Sequence, residues 1–243
     1  MKIALQLYSV RDCCNTAEEF ISTLKAVKTL GYDGVEFAGY HGLGAQELKD
    51  HLAQIGLEAV ASHQSVDELE NHLDELIAYN SAIGCKNIVC AYSPAKDMAE
   101  MTHLEKVLKS AIARAGEHGI SVFYHNHSHE FQPIDGVLPI DMIQQYCLLE
   151  LDTYWVFSSK NDPAAYLKAH TDRIGLIHLK DGGMDANPCA IGEGKNDIQS
   201  IINASQEIGT KWLIVENDNP VPDGLSDAAR SIHNLRLYKD ISL

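Results

Sequence analysis

Positive charge is scarce in this chain. Nineteen Lys and Arg stand against 34 Asp and Glu, a formal net charge of −15 over 243 residues. Nucleic acids are held through clustered Lys and Arg on their phosphates, so nucleic acid is not an expected partner. A small anionic substrate is not excluded, because the charge of a pocket can oppose that of the whole chain. No run reaches the roughly 18 apolar residues that suggest a membrane span. The opening MKIALQLYSVRD enters an amphipathic strand pattern at once, with no apolar leader and cleavage site. The expectation is a cytoplasmic protein without a membrane partner. The six cysteines (Cys13, Cys14, Cys85, Cys90, Cys147, Cys189) include no CxxC spacing. That argues for reduced thiols, some of them small core hydrophobes, rather than a disulfide framework. Glycine is missing from LYSVRDCCNT, after the first strand pattern. This argues against the Gly-rich phosphate turn of a doubly wound sheet. No Pro/Ser-rich linker or charge block divides the chain, so residues 1–243 read as one domain.

What is present is a regular alternation. Hydrophobic residues make up 45% of the chain, enough for one sizeable core. Strand-like runs are KIALQLY, DGVEFAG, LEAVASH, KNIVCAY, ISVFYHNH, LLELDTY, IGLIHLKD and KWLIVEND. Helical runs separate them. In AEEFISTLKAVKTLG, Phe20, Ile21, Leu24, Val27 and Leu30 recur at helical spacing and Gly31 closes the run. DELENHLDELIAYNSAIG reads as one helix, HLEKVLKSAIARAGEHG as another and DGLSDAARSIHNLRLYK as the last. Eight strand–helix units in this length predict an α/β fold, a closed (β/α)8 TIM barrel.

Catalytic side chains of such a barrel stand at the C-terminal ends of its strands. Those ends carry Gln6 and Tyr8, Glu36, His63, Tyr92, then His125, His127 and Glu130. Asp152 with Trp155, His178 with Lys180, and Glu216 follow. Residues i and i+2 of a strand share a face, which pairs Gln6 with Tyr8, His125 with His127, and His178 with Lys180. Taken alone, Asp152 reads equally well as a helix cap, a lone His63 as a hydrogen-bonded pocket residue, and Glu36 as a partner for a neighbouring strand end. Glu216 follows the apolar WLIV, where a carboxylate is costly without a partner. His41, His51, His72, His103, His118, His170 and His233 fall on helices or loops and read as surface. Together, Asp, His and Glu on consecutive strand ends, preceded by a His-rich end, point to one divalent metal ion. Such an ion relieves the repulsion of clustered carboxylates, and imidazole suits zinc, manganese or cobalt.

With LQLYSVR, GYDGVEFAG, YHNHSHEF, LDTYW, HLKD with the following IGEG, and VEND in this order, the chain resembles the sugar phosphate isomerase/epimerase superfamily and its xylose isomerase-like barrel over nearly its whole length. That resemblance implies one manganese, zinc or cobalt ion held by Glu, Asp, His and Glu from strands five to eight. Asp152, His178 and Glu216 match the last three. His125 stands where the family has its strand-five glutamate, and Glu130 lies five residues on. Either His125 replaces that ligand or Glu130 reaches in from the loop. His-Asn-His at this place resembles inosose dehydratase-like and keto-sugar-processing members. Trp155 stands where the DNA-repair branch has a further histidine ligand.

The expected protein is therefore a metal-dependent enzyme that moves a proton beside the carbonyl of a sugar or keto-sugar. Glu216, with His125 or Glu130, would carry the proton, and Lys180 would stabilise an enediolate oxygen or an anionic substituent. Gln6, Tyr8, His63, His127 and Trp155 would contact the sugar. Inosose dehydratase-like elimination of water, a keto-glycoside lyase or hydrolase on the same site, or a sugar-binding barrel without turnover, are the alternatives. Homo-oligomerisation is left open.

Overall fold

The structure is a computed structural model that describes residues 1–185 and 187–238. In chain order it contains β1 (Lys2–Gln6), α1 (Ala17–Leu30), β2 (Gly34–Phe37), α2 (Ala45–Ile55), β3 (Glu58–Gln64), α3 (Val66–Asn71), α4 (Leu73–Ile83), β4 (Asn87–Cys90) and α5 (Met98–Gly116). There follow β5 (Ser121–His125), α6 (Pro139–Ile143), β6 (Leu148–Asp152), α7 (Thr153–Ser158), α8 (Pro163–Ala169), β7 (Ile174–Leu179), a short hairpin of β8 (Asp181–Gly182) and β9 (Pro188–Cys189), α9 (Ile198–Glu207), β10 (Trp212–Val215) and α10 (Gly224–Leu235). Single 3-10 segments cover Leu7–Cys13 and His129–Phe131. Eight strands close into one parallel barrel in the order β1, β10, β7, β6, β5, β4, β3, β2. The expected (β/α)8 TIM barrel is the observed architecture.

Four boundaries differ from the sequence pattern, each for a local reason. The first strand stops at Gln6, whose Oε1 accepts the Tyr8 N–H at 3.0 Å and turns the chain into the 3-10 segment. Gln6 and Tyr8 therefore share no strand face. The single helix expected over 67–84 is two, because His72 leaves helical geometry at φ −129° and ψ 20°. α5 begins at Met98, one turn before its apolar pattern, where Asp97 accepts the N–H groups of Ala99 and Glu100. The sixth strand ends at Asp152, because this residue caps α7. Lys239, the last residue of the expected final helix, lies outside the described residues.

The core has two parts. Most buried apolar side chains lie between the sheet and the surrounding helices. A second cluster (Ala4, Val60, Ala61, Val89, Phe123, Leu176, Trp212 and Ile214) fills the lower lumen. Small residues on β1 and β3 face large ones on β5 and β10, so the lumen is plugged rather than open. Alternation then places polar residues one layer higher. Phe123 is followed by His125, Leu176 by His178, and Ile214 by Glu216.

Asp181 organises the loops beyond β7. Its Oδ1 accepts the N–H groups of Gly182 (2.8 Å) and Asn196 (3.0 Å), and its Oδ2 those of Gly192 (2.9 Å) and Gly194 (3.0 Å). The packing needs glycine at 194, where a Cβ would overlap Asp181 and the Gly182 amide. Hydrogen bonds to a charged acceptor are worth about 1.5–3 kcal/mol each, and an unpaired buried donor costs about 1–3 kcal/mol. Asp181→Ala should therefore destabilise the protein by roughly 3 kcal/mol or more and accelerate amide exchange at residues 182 and 192–196. Differential scanning calorimetry and hydrogen exchange would show it. Unchanged exchange in that loop would remove the role.

Candidate functional site

Four strand ends bring His125, Asp152, His178 and Glu216 together, all buried, with one ligand atom of each within 4.8 Å of the others. His125 Nε2 lies 3.4 Å from Asp152 Oδ2 and 3.7 Å from Glu216 Oε2, and His178 Nδ1 lies 3.1 Å from Glu216 Oε2. Tetrahedral bonds of about 2.0–2.1 Å separate ligand atoms by roughly 3.3 Å, close to these edges. His125 Nε2 is buried without a hydrogen-bond partner, a costly arrangement unless something binds it, and the buried Asp152 Oδ2 accepts no hydrogen bond and has only the Lys180 ammonium at 3.3 Å to offset its charge. Both readings of Asp152 are realised at once. Its Oδ1 caps α7 through Tyr154 N (2.9 Å) and Trp155 N (3.0 Å), which leaves Oδ2 for the group. Asn126 clamps the same strand end, accepting from Asp152 N at 3.0 Å and donating to Asp152 O at 3.4 Å. His125 Nδ1 sits 3.3 Å from the Ala91 carbonyl. With the proton there, Nε2 presents a lone pair to the group. These residues fit a divalent cation of the zinc, manganese or cobalt kind.

Beneath lies a second charged layer that shares His178. Its Nε2 is 2.6 Å from Glu36 Oε2 and 3.1 Å from Glu150 Oε2, while His63 Nε2 is 2.6 Å from Glu150 Oε2 and 3.3 Å from Glu36 Oε2. Carboxylates and imidazoles thus alternate around a ring. A ligating histidine whose other nitrogen faces a carboxylate has its tautomer and orientation set. Burial opposes charge on His178, but Glu150, Glu36 and Glu216 outweigh it and hold its pKa well above the usual imidazole value. Burial likewise opposes ionisation of Glu150 and Glu216. His178 and His63 around the first, and Lys180 and His178 around the second, keep both well below the carboxylate range. Glu36 is the exception. Burial and the neighbouring Glu150 raise it despite the two histidines.

Lys180 is fully buried. Its Nζ lies 3.0 Å from Glu216 Oε2, 3.3 Å from Asp152 Oδ2, in contact with Asp218, and 4.9 Å over the Trp155 ring. It stands among the carboxylates rather than open to substrate, a different place from that expected of an oxyanion donor.

A cavity of about 720 Å³ opens above, with His63, His125 and Glu216 in its wall and Tyr8, Tyr92, His127 and Trp155 around it. The remaining expected residues are placed otherwise. Gln6 is buried behind the wall, donating to Glu36 Oε2 at 2.8 Å. Glu130 is not brought to the four-residue group. Its Oε1 accepts from the Tyr124 hydroxyl at 2.6 Å and its Oε2 from the His127 N–H at 2.7 Å, so it anchors the loop after β5. It joins only a separate cluster with His127 and His129.

Sequence reasoning missed three residues here. Glu150 was legible as the only charge inside LLEL, two residues before Asp152 and so on its face. Asp218 stands in the same relation to Glu216 and reaches the cavity wall. Asn126, between two histidines, had no signal of its own.

A family model described as xylose isomerase-like TIM barrel matches residues 24–238. The chain belongs to this family. Among solved structures, a sugar phosphate isomerase/epimerase from Parabacteroides distasonis ATCC 8503 is similar at 21% identity and TM-score 0.85, over 100% of both chains. A D-allulose 3-epimerase from Methylomonas sp. in complex with D-allulose is similar at 16% identity and TM-score 0.75, over 98% of this chain and 96% of that one. An AP endonuclease, family 2, from Brucella melitensis is similar at 14% identity and TM-score 0.74, over 93% and 96%. At these identities the likeness shows the fold, and one fold hosts several chemistries. No protein of curated function matches the chain.

Two predictions follow from the charged layers. Glu150→Gln should weaken manganese or zinc binding by about 10- to 100-fold, the usual effect of removing a partner behind a ligand, as read by isothermal titration calorimetry. Unaltered affinity would leave Glu150 without that role. The second concerns pH. Glu150, with its lowered pKa, stabilises the fold above its ordinary value of 4.5, and this is lost as pH falls through the folded value. His178, with its raised pKa, stabilises fully below 6.5, and this is lost as pH rises through the folded value. In chelator, the melting temperature should therefore peak between about pH 4.5 and 6.5 and fall on both sides. A steady rise from pH 6 to 9 would contradict the assignment.

Proposed function

We propose that this chain is a divalent-metal-dependent enzyme that moves a proton beside the carbonyl of a sugar or keto-sugar, as an isomerase or epimerase. The observation that carries the reading is the convergence of His125, Asp152, His178 and Glu216 beside the cavity, with His125 Nε2 buried and unpartnered. A divalent ion on these four residues would polarise the substrate carbonyl and acidify the neighbouring C–H.

The chain's own groups account for the rest. Against the cost of burial, Lys180 above all holds Glu216 ionised, and Glu216 would take the proton. Lys180 keeps Asp152 and Glu216 in register from behind the wall. If Glu216 returns the proton, transfer stays on one face of the carbon. If a group on the opposite face of the carbon returns it, configuration inverts. His127 presents a buried Nδ1 without a partner, suited to a substrate hydroxyl. Trp155 and Tyr8 offer apolar faces to the ring of the sugar. Elimination of water shares the first proton abstraction and differs in what leaves.

The test is solvent-deuterium incorporation into a panel of ketoses, inososes and 3-keto-glycosides with manganese added. Exchange at the carbon next to the carbonyl is the expected result, and none with any member would end the reading. Glu216→Gln should lower the exchange rate by about 10²–10⁴-fold, the usual worth of a positioned acid–base group, while the far-ultraviolet circular dichroism stays unchanged.

A further inference from the structure

We infer that the substrate is an uncharged sugar and that its phosphate ester is refused. This rests on the carbonyl chemistry proposed for the same site and names the class of substrate it takes.

The first observation concerns amides. In this fold phosphate is held by loops after the seventh and eighth barrel strands and by a helix N-terminus beside them. Here both places are filled by the chain's own carboxylates. Asp181 accepts the amides of Gly182, Gly192, Gly194 and Asn196 in the loop after β7. At the start of α10, after β10, Asp12 Oδ2 accepts Gly224 N at 3.1 Å and Asp223 Oδ1 accepts Ser226 N at 2.8 Å.

The second concerns cations. Arg11 is the one Lys or Arg among the described residues lining the cavity. Its Nη1 donates to Tyr8 O at 2.7 Å, its Nη2 to Asp218 O at 2.8 Å, and the guanidinium lies 4.0 Å from the Tyr8 ring centre. Lys180 is enclosed by Asp152, Glu216 and Asp218. Even with a divalent ion on the four donors, the charges of Asp152 and Glu216 match it. A phosphate would thus meet one cation, Arg11, tied by two N–H groups to backbone carbonyls, while Glu216 and Asp218 in the same wall would repel it.

The third concerns what the wall does offer. Tyr8 and Tyr92 are 44% and 50% exposed at the rim, and Trp155 lines the cavity with an indole N–H that has no partner. Apolar faces beside isolated donors suit a ring that carries hydroxyls and no charge.

The test uses matched pairs of ketohexoses, ketopentoses and inososes, each with its phosphate ester, and inorganic phosphate alone. Binding is read from quenching of Trp155 fluorescence in the manganese-loaded protein, with Trp155→Phe as the control because the other tryptophan, Trp212, lies buried in the lower lumen. At least one neutral sugar should bind ten-fold or more tighter than its ester, and phosphate should neither quench nor compete. An ester that binds as well as its neutral partner, or a panel in which no neutral sugar binds, would overturn the inference. Deuterium exchange on the same samples separates the two claims. A neutral sugar that binds but never exchanges would sink the proposed reaction and leave this inference standing. An ester that exchanges faster than its neutral partner would do the reverse.

Discussion

Carboxylates enclosed in a barrel lumen stay ionised only if a cation faces them, and this constraint shapes the upper half of the molecule. Glu36, Glu150, Asp152 and Glu216 are all buried there. His178 is the hinge of the arrangement, with one nitrogen on Glu36 and Glu150 below and the other on Glu216 above. Breaking one such partnership leaves an uncompensated charge, which typically costs about 3–5 kcal/mol. The two layers are therefore one unit. A side chain in the lower layer that never meets substrate still sets how the upper layer presents its donors.

The barrel supplies this unit through period-two alternation. Three strands that plug the lower lumen with an apolar side chain deliver a ligand-type residue two residues on: Phe123 and His125, Leu176 and His178, and Ile214 and Glu216. Short devices at the strand ends then fix the geometry. Asp152 caps a helix with one oxygen and faces the group with the other. Asn126 staples β6 to the end of β5, and Asp181 gathers the loop after β7. The opening of the cavity is left to Tyr8, Tyr92 and Trp155, which follow three different strands.

Much of this was legible in the sequence, for identifiable reasons. The barrel followed from eight alternations, and the metal-type residues from strand ends, because strand period and barrel topology are local rules that long-range packing here obeys. The two candidates for the fourth corner could not be separated by spacing alone. Only the fold shows Glu130 turned back onto Tyr124 and the His127 amide while His125 faces inward. Glu150 was passed over because a strand-end search settles on Asp152, two residues beyond it, although its position on the face of Asp152 was readable. Lys180 was expected to face substrate. The carboxylates of three residues draw it under the wall instead, a competition that no single motif reveals.

The central claim is that His125, Asp152, His178 and Glu216 together hold one divalent ion. A crystal grown with manganese or zinc, with data collected on both sides of the absorption edge of that metal, tests it most directly. The account predicts one anomalous peak at bonding distance from His125 Nε2, Asp152 Oδ2, His178 Nδ1 and Glu216 Oε2. A peak bound instead by Glu130, or no peak among these four residues, would contradict it.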